Sequence, residues 1–345
     1  MSRPSVIIIG AGLGGLSTGT YAQMNGYQCQ IFEHARHPGG VAAQWKRHGY
    51  TIDGGIHFYV GYRPGQPDHD LYRELGIYQK DQYLEITNYG RFLNPADGRS
   101  LDITQDLDQL AATMKNISPD DAAFIDKVLT GAKAFRHSYM NASMQKPPDM
   151  NRWWDTLKMM IKMKGTLRYY SGWYLQSLEE ATRELHDPWL AHVFKHLFLP
   201  EVPVVFIMII LGALSGGNMA VRKDGAGGFA RALEKRYQDL GGEVAYRSFV
   251  EKILVEKDHA VGVRLSNGEE YRADHIVSAA DGFSTLYDLL GGKYVTAELK
   301  KLHAVRLNFG PKDPVTGRRD MKEIPGTEFE ENVDLLILAM GFLGP

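Results

Sequence analysis

Gly10, Gly12 and Gly15 follow four apolar residues at positions 6–9 and have the spacing G-x-G-x-x-G. The first glycine permits a tight turn, the second lets a backbone approach a pyrophosphate, and the third lets a helix pack closely on a strand. Glu33 ends the next apolar run, where a carboxylate can bind an adenosine ribose and disfavours a 2′-phosphate. These residues predict a dinucleotide site that discriminates against NADP. The alternative is a structural strand–helix–strand unit with an ordinary glycine turn.

A strand, a turn, a helix and a second strand must position these residues. The apolar run predicts the first strand, and residues 14–25 predict a helix that ends at Gly26. Leu13 and Gly14 then lie at the start of this helix, whose free N–H groups and positive dipole end attract an anion. Residues 28–32 predict the second strand, which carries the acid at its end.

The composition limits the classes of protein. The 345 residues carry a net charge of −2 and are 44% hydrophobic. They predict two or three domains or subdomains with a real core, and they give no electrostatic reason to expect nucleic-acid binding. The single cysteine, Cys29, excludes a disulfide framework and is expected in the core. With no secretory signal visible, we expect a cytoplasmic protein, with peripheral contact at a membrane surface left open.

Residues 202–221 contain no charged side chain, so a membrane span has to be considered. The continuous apolar run covers only residues 204–214, and Pro203, Gly216 and Asn218 interrupt the rest. A spanning helix needs about 20 predominantly apolar residues. We therefore expect a buried helix, or one that lines an apolar cavity.

Two further glycine pairs permit close approach of a ligand to the backbone. Gly39 and Gly40 could again lie beside a phosphate. Gly54 and Gly55 precede His57 and could admit a flat ligand. A glycine-rich hairpin with a hydrogen-bonded histidine is the alternative for the second pair.

Residues 1–290 resemble the phytoene desaturase and carotenoid isomerase family of flavoproteins in six segments, matched in order and spacing. These are GAGLGGLS at 10–17, Glu33, PGG at 38–40, YTIDGGIHFYVG at 50–61, GAGGFARALEKRYQDLGGEV at 225–244 and HIVSAADG at 275–282. The resemblance implies FAD rather than NAD, and a redox reaction on an apolar, polyene-like substrate. It implies an α/β fold, with a Rossmann-like FAD-binding domain of the GR2 flavoprotein type and an inserted α+β substrate domain.

The resemblance also implies roles for individual residues. The glycine turn and Glu33 would hold the ADP half of FAD, and the backbone of Val250 would meet the adenine. Gly39 and Gly40 would lie by the pyrophosphate and flavin, and the segment Gly54–His57 would lie near the flavin ring. A strand at 276–280 would return to the nucleotide sheet and lead into Asp281. The complete set of predicted cofactor-binding residues is Gly10, Gly12, Leu13, Gly14, Gly15, Glu33, Gly39, Gly40, Gly54, Gly55, Val250 and Asp281.

No catalytic residue is assigned, because a bound flavin carries this kind of chemistry and no protein nucleophile is required. His57 and Tyr59 are candidates for positioning the substrate or the flavin. The 12 histidines are scattered, so no metal site is predicted.

Residues 153–174 are aromatic, rich in methionine and basic. Such a helix can lie on a membrane surface. It can equally cover the core with its apolar side while its lysines face water, and the sequence favours this second interpretation. The family resemblance strengthens the membrane interpretation, since polyene substrates reside in lipid.

We expect three parts in the chain. Residues 1–65 and 222–290 would form the discontinuous nucleotide-binding domain, and residues 66–221 the substrate domain, mostly helical in its second half. Residues 305–345 look foreign, because they resemble the small subunit of glutamate synthase just before its own FAD-closing segment. The segment with which the desaturase family closes over its flavin is not expected within these 345 residues. A natural fusion and a chimeric or decayed gene both remain open.

Three functions follow from these patterns. The first is an FAD-dependent oxidoreductase that desaturates, saturates or isomerises an apolar polyene-like substrate. The second is a nucleotide-binding remnant without catalysis. The third is an electron-transfer subunit similar to the glutamate synthase subunit, which ranks last because one cysteine cannot hold iron–sulfur clusters. The oligomeric state is not predicted.

Overall fold

The computed structural model describes residues 3–66, 68–136 and 152–295, without the side chains of residues 155, 159 and 162, and the backbone of four short strands between residues 301 and 332. The chain divides into two compact units. The terminal unit comprises Met1–Gly40 and Tyr237–Pro345, and the central unit comprises Val41–Arg236.

The strands are, in chain order, β1 (Ser5–Ile9), β2 (Gln28–Phe32), β3 (Gln44–Arg47), β4 (Tyr50–Asp53), β5 (Tyr59–Val60), β6 (Tyr83–Glu85), β7 (Asn88–Leu93), β8 (Ser100–Thr104), β9 (Met219–Arg222), β10 (Glu243–Ala245), β11 (Val250–Glu256), β12 (His259–Leu265), β13 (Glu270–Arg272), β14 (His275–Ser278), β15 (Lys301–Ala304), β16 (Leu307–Lys312), β17 (Arg319–Glu323) and β18 (Phe329–Asn332). The α-helices are α1 (Leu13–Met24), α2 (His69–Glu74), α3 (Leu107–Ile117), α4 (Ala122–Ala134), α5 (Trp153–Met163), α6 (Leu178–Ala181), α7 (Pro188–Lys195), α8 (Val204–Ser215) and α9 (Gly225–Asp239). Short helical turns cover Lys80–Gln82, Pro119–Asp121, Leu167–Tyr170, Gly172–Leu175, Thr182–Glu184 and Ser284–Leu289.

A four-stranded parallel sheet of order β10-β2-β1-β14 forms the centre of the terminal unit. The apolar residues of β1 are buried on both faces of the sheet, as parallel strands require. The predicted strand–helix–strand unit is confirmed, since α1 connects β1 to β2 and ends just before Gly26, whose φ of +86° suits only glycine well. The strand at the end of the 225–282 region, β14, pairs with β1 as predicted.

Between β10 and β14, the chain of the terminal unit forms an antiparallel meander of β11, β12 and β13. A turn at Asn267 and Gly268, typical of hairpins, joins its last two strands, with Gly268 at φ +89°. Phe32 at the end of β2 packs in one apolar cluster with Val250, Val263 and Leu265 of the meander. The meander is thereby attached to the strand that carries Glu33.

Helices build most of the core of the central unit. The uncharged run predicted as a buried helix is α8, and nine of its residues are buried. Glycines let α8 approach α4 closely: a Cβ at Gly131 would lie 2.6 Å from the Met208 sulfur, and one at Gly212 would lie 2.7 Å from the Ala132 carbonyl oxygen. Among the described residues, no helix combines the length and apolar character that a bilayer crossing requires.

Three small antiparallel arrangements of strands accompany these helices in the central unit. They are the hairpin of β3 and β4, the hairpin of β7 and β8, and a sheet of order β5-β9-β6. In the last of these, Tyr59 of β5 lies opposite Ala220 of β9, and Tyr83 of β6 lies opposite Arg222. This sheet brings together residues more than 130 positions apart in sequence.

The limits of the units differ from the predicted domain limits of 65/66 and 221/222. The chain leaves the terminal unit after Gly40, because the β3–β4 hairpin and β5 join partners within 41–236. It returns only at Tyr237, because most of α9 contacts the central unit; for example, the Arg236 side chain lies against Gly76. Residues 333–345, the end of the segment that resembles glutamate synthase, lie outside the described residues. Strands β15–β18 form two antiparallel pairs.

Candidate nucleotide-binding site

The glycine turn at the carboxyl end of β1 has the geometry that the sequence predicts. Gly10 has φ +98°, and its N–H donates to the Phe32 carbonyl oxygen at 2.8 Å, which ties the turn to the end of β2. A Cβ at Gly15 would lie 2.0 Å from the Gly10 carbonyl oxygen. Gly15 is therefore required by the close contact between α1 and the turn.

Gly12 differs from Gly15, because the described residues around Gly12 leave room for a side chain. Its backbone is extended, at φ −69° and ψ 178°, which any residue can adopt. The nearest described atom to an added Cβ is the Gly40 Cα, at 3.9 Å. The protein alone does not explain this glycine, and a ligand that approaches the backbone would explain it.

The N-terminus of α1 is open towards an anion. Within the described part of the chain, no side chain caps it, and its first turn contains no acidic residue. Leu13 and Gly14 lie in this first turn, and nothing described lies within 4 Å of a Cβ added at Gly14. Free N–H groups and the helix dipole at such an end favour a phosphate.

Gly39 and Gly40 lie directly against this turn. The Gly39 N–H donates to the Ala11 carbonyl oxygen at 2.9 Å, and Gly39 forms a parallel bridge with Gly12. Gly40 has φ +56°, and a Cβ on it would lie 3.1 Å from the Gly12 Cα. Gly39 and Gly40 therefore meet the first motif at the residue where a pyrophosphate is expected.

Glu33 is held in place by two backbone donors. Its Oε2 accepts from the Ala11 N–H at 2.6 Å, and its Oε1 accepts from the Ala35 N–H at 2.7 Å. Each carboxylate oxygen retains further acceptor capacity. The acid is thus fixed beside the glycine turn, where the ribose hydroxyls of a nucleotide would be donors.

The chain from 245 to 250 runs beside Glu33. The Ser248 N–H donates to the Glu33 carbonyl oxygen at 2.8 Å, and the Phe249 ring meets the His34 ring edge to face at 5.2 Å between centroids. The Val250 side chain is buried in the cluster with Phe32, so only its backbone could meet an adenine. The half-exposed Phe249, which the sequence analysis did not single out, is the aromatic group at this end of the site.

Asp281 lies at the same end of the sheet but has a local partner. Its Oδ1 accepts from the Ser284 N–H at 2.8 Å, and this hydrogen bond holds the pKa of the Asp281 carboxyl below its usual value. Two residues earlier, the Ala279 carbonyl oxygen lies 3.6 Å from the position of a Cβ on Gly10. The carboxylate thus stabilises the turn after β14, and its predicted contact with a cofactor stays a prediction.

In the central unit, Gly54 and Gly55 are required by the packing of the hairpin. A Cβ on Gly55 would lie 2.2 Å from the Val41 carbonyl oxygen, and one on Gly54 would lie 2.5 Å from the Trp45 ring. The preceding Asp53, which the sequence analysis passed over, has a clear role: its Oδ1 accepts from the Ala226 N–H at 3.0 Å. Asp53 thereby caps the first turn of α9, which begins at Gly225.

The two catalytic candidates have different surroundings. His57 is exposed. Tyr59 is buried, its ring stacks on Phe229 at 5.1 Å between centroids, and its hydroxyl has no hydrogen-bond partner among the described residues. Burial raises the pKa of Tyr59 above its ordinary value, so the hydroxyl stays protonated.

Arg222 lies beside these aromatic rings and was not predicted. Its guanidinium donates twice to Asp224, at 2.8 and 2.9 Å, and once to the Ile77 carbonyl oxygen, at 2.7 Å. It also lies over the Tyr83 ring, 5.4 Å from the centroid. The side chain is fully buried, and its hydrogen bonds hold the pKa of the Asp224 carboxyl below its usual value.

We expect Arg222→Met to lower the free energy of unfolding by about 2–3 kcal/mol at pH 7, because it leaves Asp224 and the Ile77 carbonyl without their donor. The folded-state pKa of Asp224 is lowered, so its contribution is complete above the unfolded-state pKa and is lost as the pH falls through the folded value. Urea unfolding should therefore show a large difference between the two proteins at pH 7 and a smaller one below about pH 4.

Arg91→Met is the matched control, since Arg91 makes a similar two-point contact with Asp102 at the surface. It should cost much less. An equal loss in the two variants would contradict the role assigned to Arg222.

The comparisons with known proteins agree with this geometry. The NAD(P)-binding Rossmann-like domain family matches residues 8–75. A neurosporene-forming phytoene desaturase from Cereibacter sphaeroides is 27% identical over 294 residues, which is 82% of this chain and 54% of that protein. A lycopene-forming phytoene desaturase from Pseudescherichia vulneris is 25% identical over 83% of this chain and 57% of its own length. Prolycopene isomerase 1 from an Oncidium hybrid cultivar is 25% identical over 87% of this chain and 52% of its own length.

The chain is thus similar, over more than four fifths of its length, to phytoene desaturases and prolycopene isomerases. It spans about half the length of the curated relatives that it matches. A crystal structure of an oxidoreductase from Methanosarcina mazei has the same fold, with a TM-score of 0.52 and 21% identity over 86% of this chain and 63% of that one. The α/β fold with a Rossmann-like nucleotide-binding domain is therefore confirmed, and this domain implies a flavin or nucleotide cofactor.

The resemblance of residues 305–345 to glutamate synthase stays a prediction.

Within the described part of the chain, no three histidine, cysteine or acidic side chains come together as a metal site.

Proposed function

We propose that this chain binds FAD and acts as an oxidoreductase on an apolar polyene of the carotenoid type. The observation that carries the proposal is the group of residues around the glycine turn. Glu33 is fixed by two backbone donors. Among the described residues, no side chain caps the start of α1, and no contact requires a glycine at position 12. The family relationship favours FAD over NAD, and the named activities of the relatives favour the polyene.

The residues fit the adenosine and pyrophosphate parts of FAD. Glu33 would accept the ribose hydroxyls, the N-terminus of α1 and the backbone of Gly12 would face the pyrophosphate, and Gly39 would support that turn. When bound, FAD supplies the exchange of a hydride or electrons that such reactions need. The protein's contribution would be to hold the reactants and exclude water.

Two reactions remain within this proposal, and they differ in their electron balance. Desaturation removes a hydride and a proton from the substrate, so an acceptor such as oxygen or a quinone must take the electron pair. Isomerisation leaves the oxidation state of the polyene unchanged. The relatives include both kinds of enzyme.

The test begins with the protein purified from cells supplied with riboflavin. We expect a bound flavin, visible by its absorbance, that excess ADP displaces in competition. Incubation with phytoene or prolycopene in liposomes, with and without a quinone, should then change the absorption spectrum of one polyene. Bound flavin without a change in either polyene would leave only nucleotide binding, and no flavin or ADP binding would refute the proposal.

The variant Tyr59→Phe distinguishes a role of the Tyr59 hydroxyl in the stability of the protein from a role in positioning a reactant. It removes a buried hydroxyl that has no hydrogen-bond partner in the part of the chain that the structure describes, so the free energy of unfolding should stay the same or rise by up to about 1 kcal/mol. If Tyr59 positions a reactant, turnover falls although the fold is no weaker. Unchanged turnover would remove Tyr59 from the candidates.

A further inference from the structure

Strand β14 lies at an edge of the parallel sheet but does not have the composition of an edge strand. It pairs with β1 on one side, and no strand among the described residues pairs with its other side. Exposed edge strands are normally short or carry charged residues or proline, because unpaired backbone groups invite association. Strand β10, at the opposite edge, has three residues and begins with the exposed Glu243. The four residues of β14 include no lysine, proline or acidic residue.

The apolar side chains of β14 are incompletely covered. Ile276 and Val277 are only partly buried, whereas Ile8 of the neighbouring strand β1 is 0% exposed. A strand inside a parallel sheet is covered on both faces and paired on both sides. Strand β14 therefore has the composition of an inner strand in the position of an outer one.

The hydrogen bonds to β1 show which backbone groups of β14 face the open side. The Ala279 N–H donates to the Ile9 carbonyl oxygen at 2.9 Å. Successive residues of a strand direct their N–H and C=O groups to opposite sides. Val277 therefore faces β1, while Ile276 and Ser278 face away from it. A further strand would form its hydrogen bonds with these two residues.

Residues 335–339 have the composition that suits this position. They are Leu-Leu-Ile-Leu-Ala, and no charged residue follows them in the sequence. A continuous apolar run of this length is typical of a strand that is buried on both faces of a parallel sheet. Residues 279–334 supply far more chain than the dozen or so residues that a connection between parallel strands needs.

We propose that residues 335–339 pair in parallel with the open side of β14 and form the fifth strand of this sheet. The order β10-β2-β1-β14 is the third-second-first-fourth order of doubly wound sheets, in which the next strand lies beside the fourth. The pairing would satisfy the outward N–H and C=O groups of β14 and cover its apolar side chains. This proposal does not depend on the proposed reaction.

Residue-resolved hydrogen exchange of the whole protein tests the pairing. We expect the amides of Ile276 and Ser278 to exchange about as slowly as the amide of Val277, because all three would be hydrogen-bonded. The double variant Leu336→Pro with Ile337→Pro should speed exchange at Ile276 and Ser278 about tenfold or more and leave Val277 unchanged, since proline lacks the donor that an inner strand needs. Fast exchange of Ile276 and Ser278 in the wild type would overturn the proposal.

Phe342→Pro with Leu343→Pro is the matched control. It places two prolines in the same part of the chain but outside the proposed strand, so all three amides should exchange as in the wild type. Slow exchange that neither pair of prolines alters would mean that another segment covers β14. Slow exchange that depends on protein concentration would mean that a second copy covers it. Either result would refute the proposal.

A paramagnetic label gives a second measurement that needs no disruptive variant. Met340→Cys carries the label just after the proposed strand, while the native Cys29 is buried and stays unlabelled. Parallel pairing places the carboxyl ends of neighbouring strands together, so the label should broaden the amide signal of Ala279 more than that of His275. The opposite order, or no broadening in β14, would contradict parallel pairing with this segment.

Discussion

Replacing Gly12 by valine should abolish nucleotide binding while the protein stays folded. The backbone conformation of Gly12 accepts any residue, and the nearest atom to an added Cβ is 3.9 Å away. The side chain would instead occupy the space through which a pyrophosphate approaches the start of α1. We expect affinity for ADP or FAD to fall about a hundredfold or more, with a loss of stability of about 1 kcal/mol.

Isothermal titration with ADP and thermal unfolding measure these two effects separately. The neighbouring glycines supply the controls. Gly14→Ala adds a Cβ with nothing described within 4 Å, so stability should be equal or higher. Gly15→Ala places a Cβ 2.0 Å from the Gly10 carbonyl oxygen and should unfold or strongly destabilise the protein. Native affinity in folded Gly12→Val would refute the site.

Replacing Glu33 by glutamine should weaken ADP binding at least about tenfold, since charge-assisted hydrogen bonds to a carboxylate contribute about 1.5–3 kcal/mol each. The carboxylate is already oriented by the Ala11 and Ala35 N–H groups, so little further ordering is needed when a ribose binds. The same change should reduce the preference for ligands with a free 2′-hydroxyl, because it removes the repulsion between two anions.

The measurement compares ADP-ribose with 2′-phospho-ADP-ribose in the wild type and the variant. A purely structural effect on the turn would weaken both ligands equally, so a smaller ratio of the two affinities identifies contact with the ribose. Glu243→Gln is the control, because Glu243 is an exposed carboxylate on β10, paired beside β2 in the same sheet. If the ratio stays constant in Glu33→Gln, Glu33 does not bind the ribose.

The nucleotide motif could be predicted because its determinants are local. The turn at Gly10, helix α1 and the acid after β2 lie within 24 residues of one another and follow rules of spacing and periodicity. The meander of β11, β12 and β13 was predictable for the same reason, with strand runs separated by an Asn-Gly turn.

The features that the sequence analysis missed depend on distant partners. Asp53 caps α9 across 173 residues, and Arg222 reaches the Ile77 carbonyl across 145. An aspartate before two glycines gives no signal of such a partner. The sequence of residues 153–174 showed an aromatic and basic helix, but composition does not tell whether its apolar side chains face the core or, as Trp153 and Ile161 do, the solvent.

Cys29 gives the protein an internal reporter of its own opening. The thiol is buried in β2, the strand that leads to Glu33, and burial raises its pKa to about 11. The backbone carbonyl of Cys29 also accepts from the Tyr237 hydroxyl, at 2.7 Å. A thiol reagent can therefore modify this one site only in molecules whose sheet has opened, and the rate of labelling measures the free energy of that opening. A ligand that binds only the closed sheet slows this labelling, because it lowers the fraction of molecules that can open. Cys29, which performs no chemistry, can therefore report nucleotide affinity without an engineered probe site.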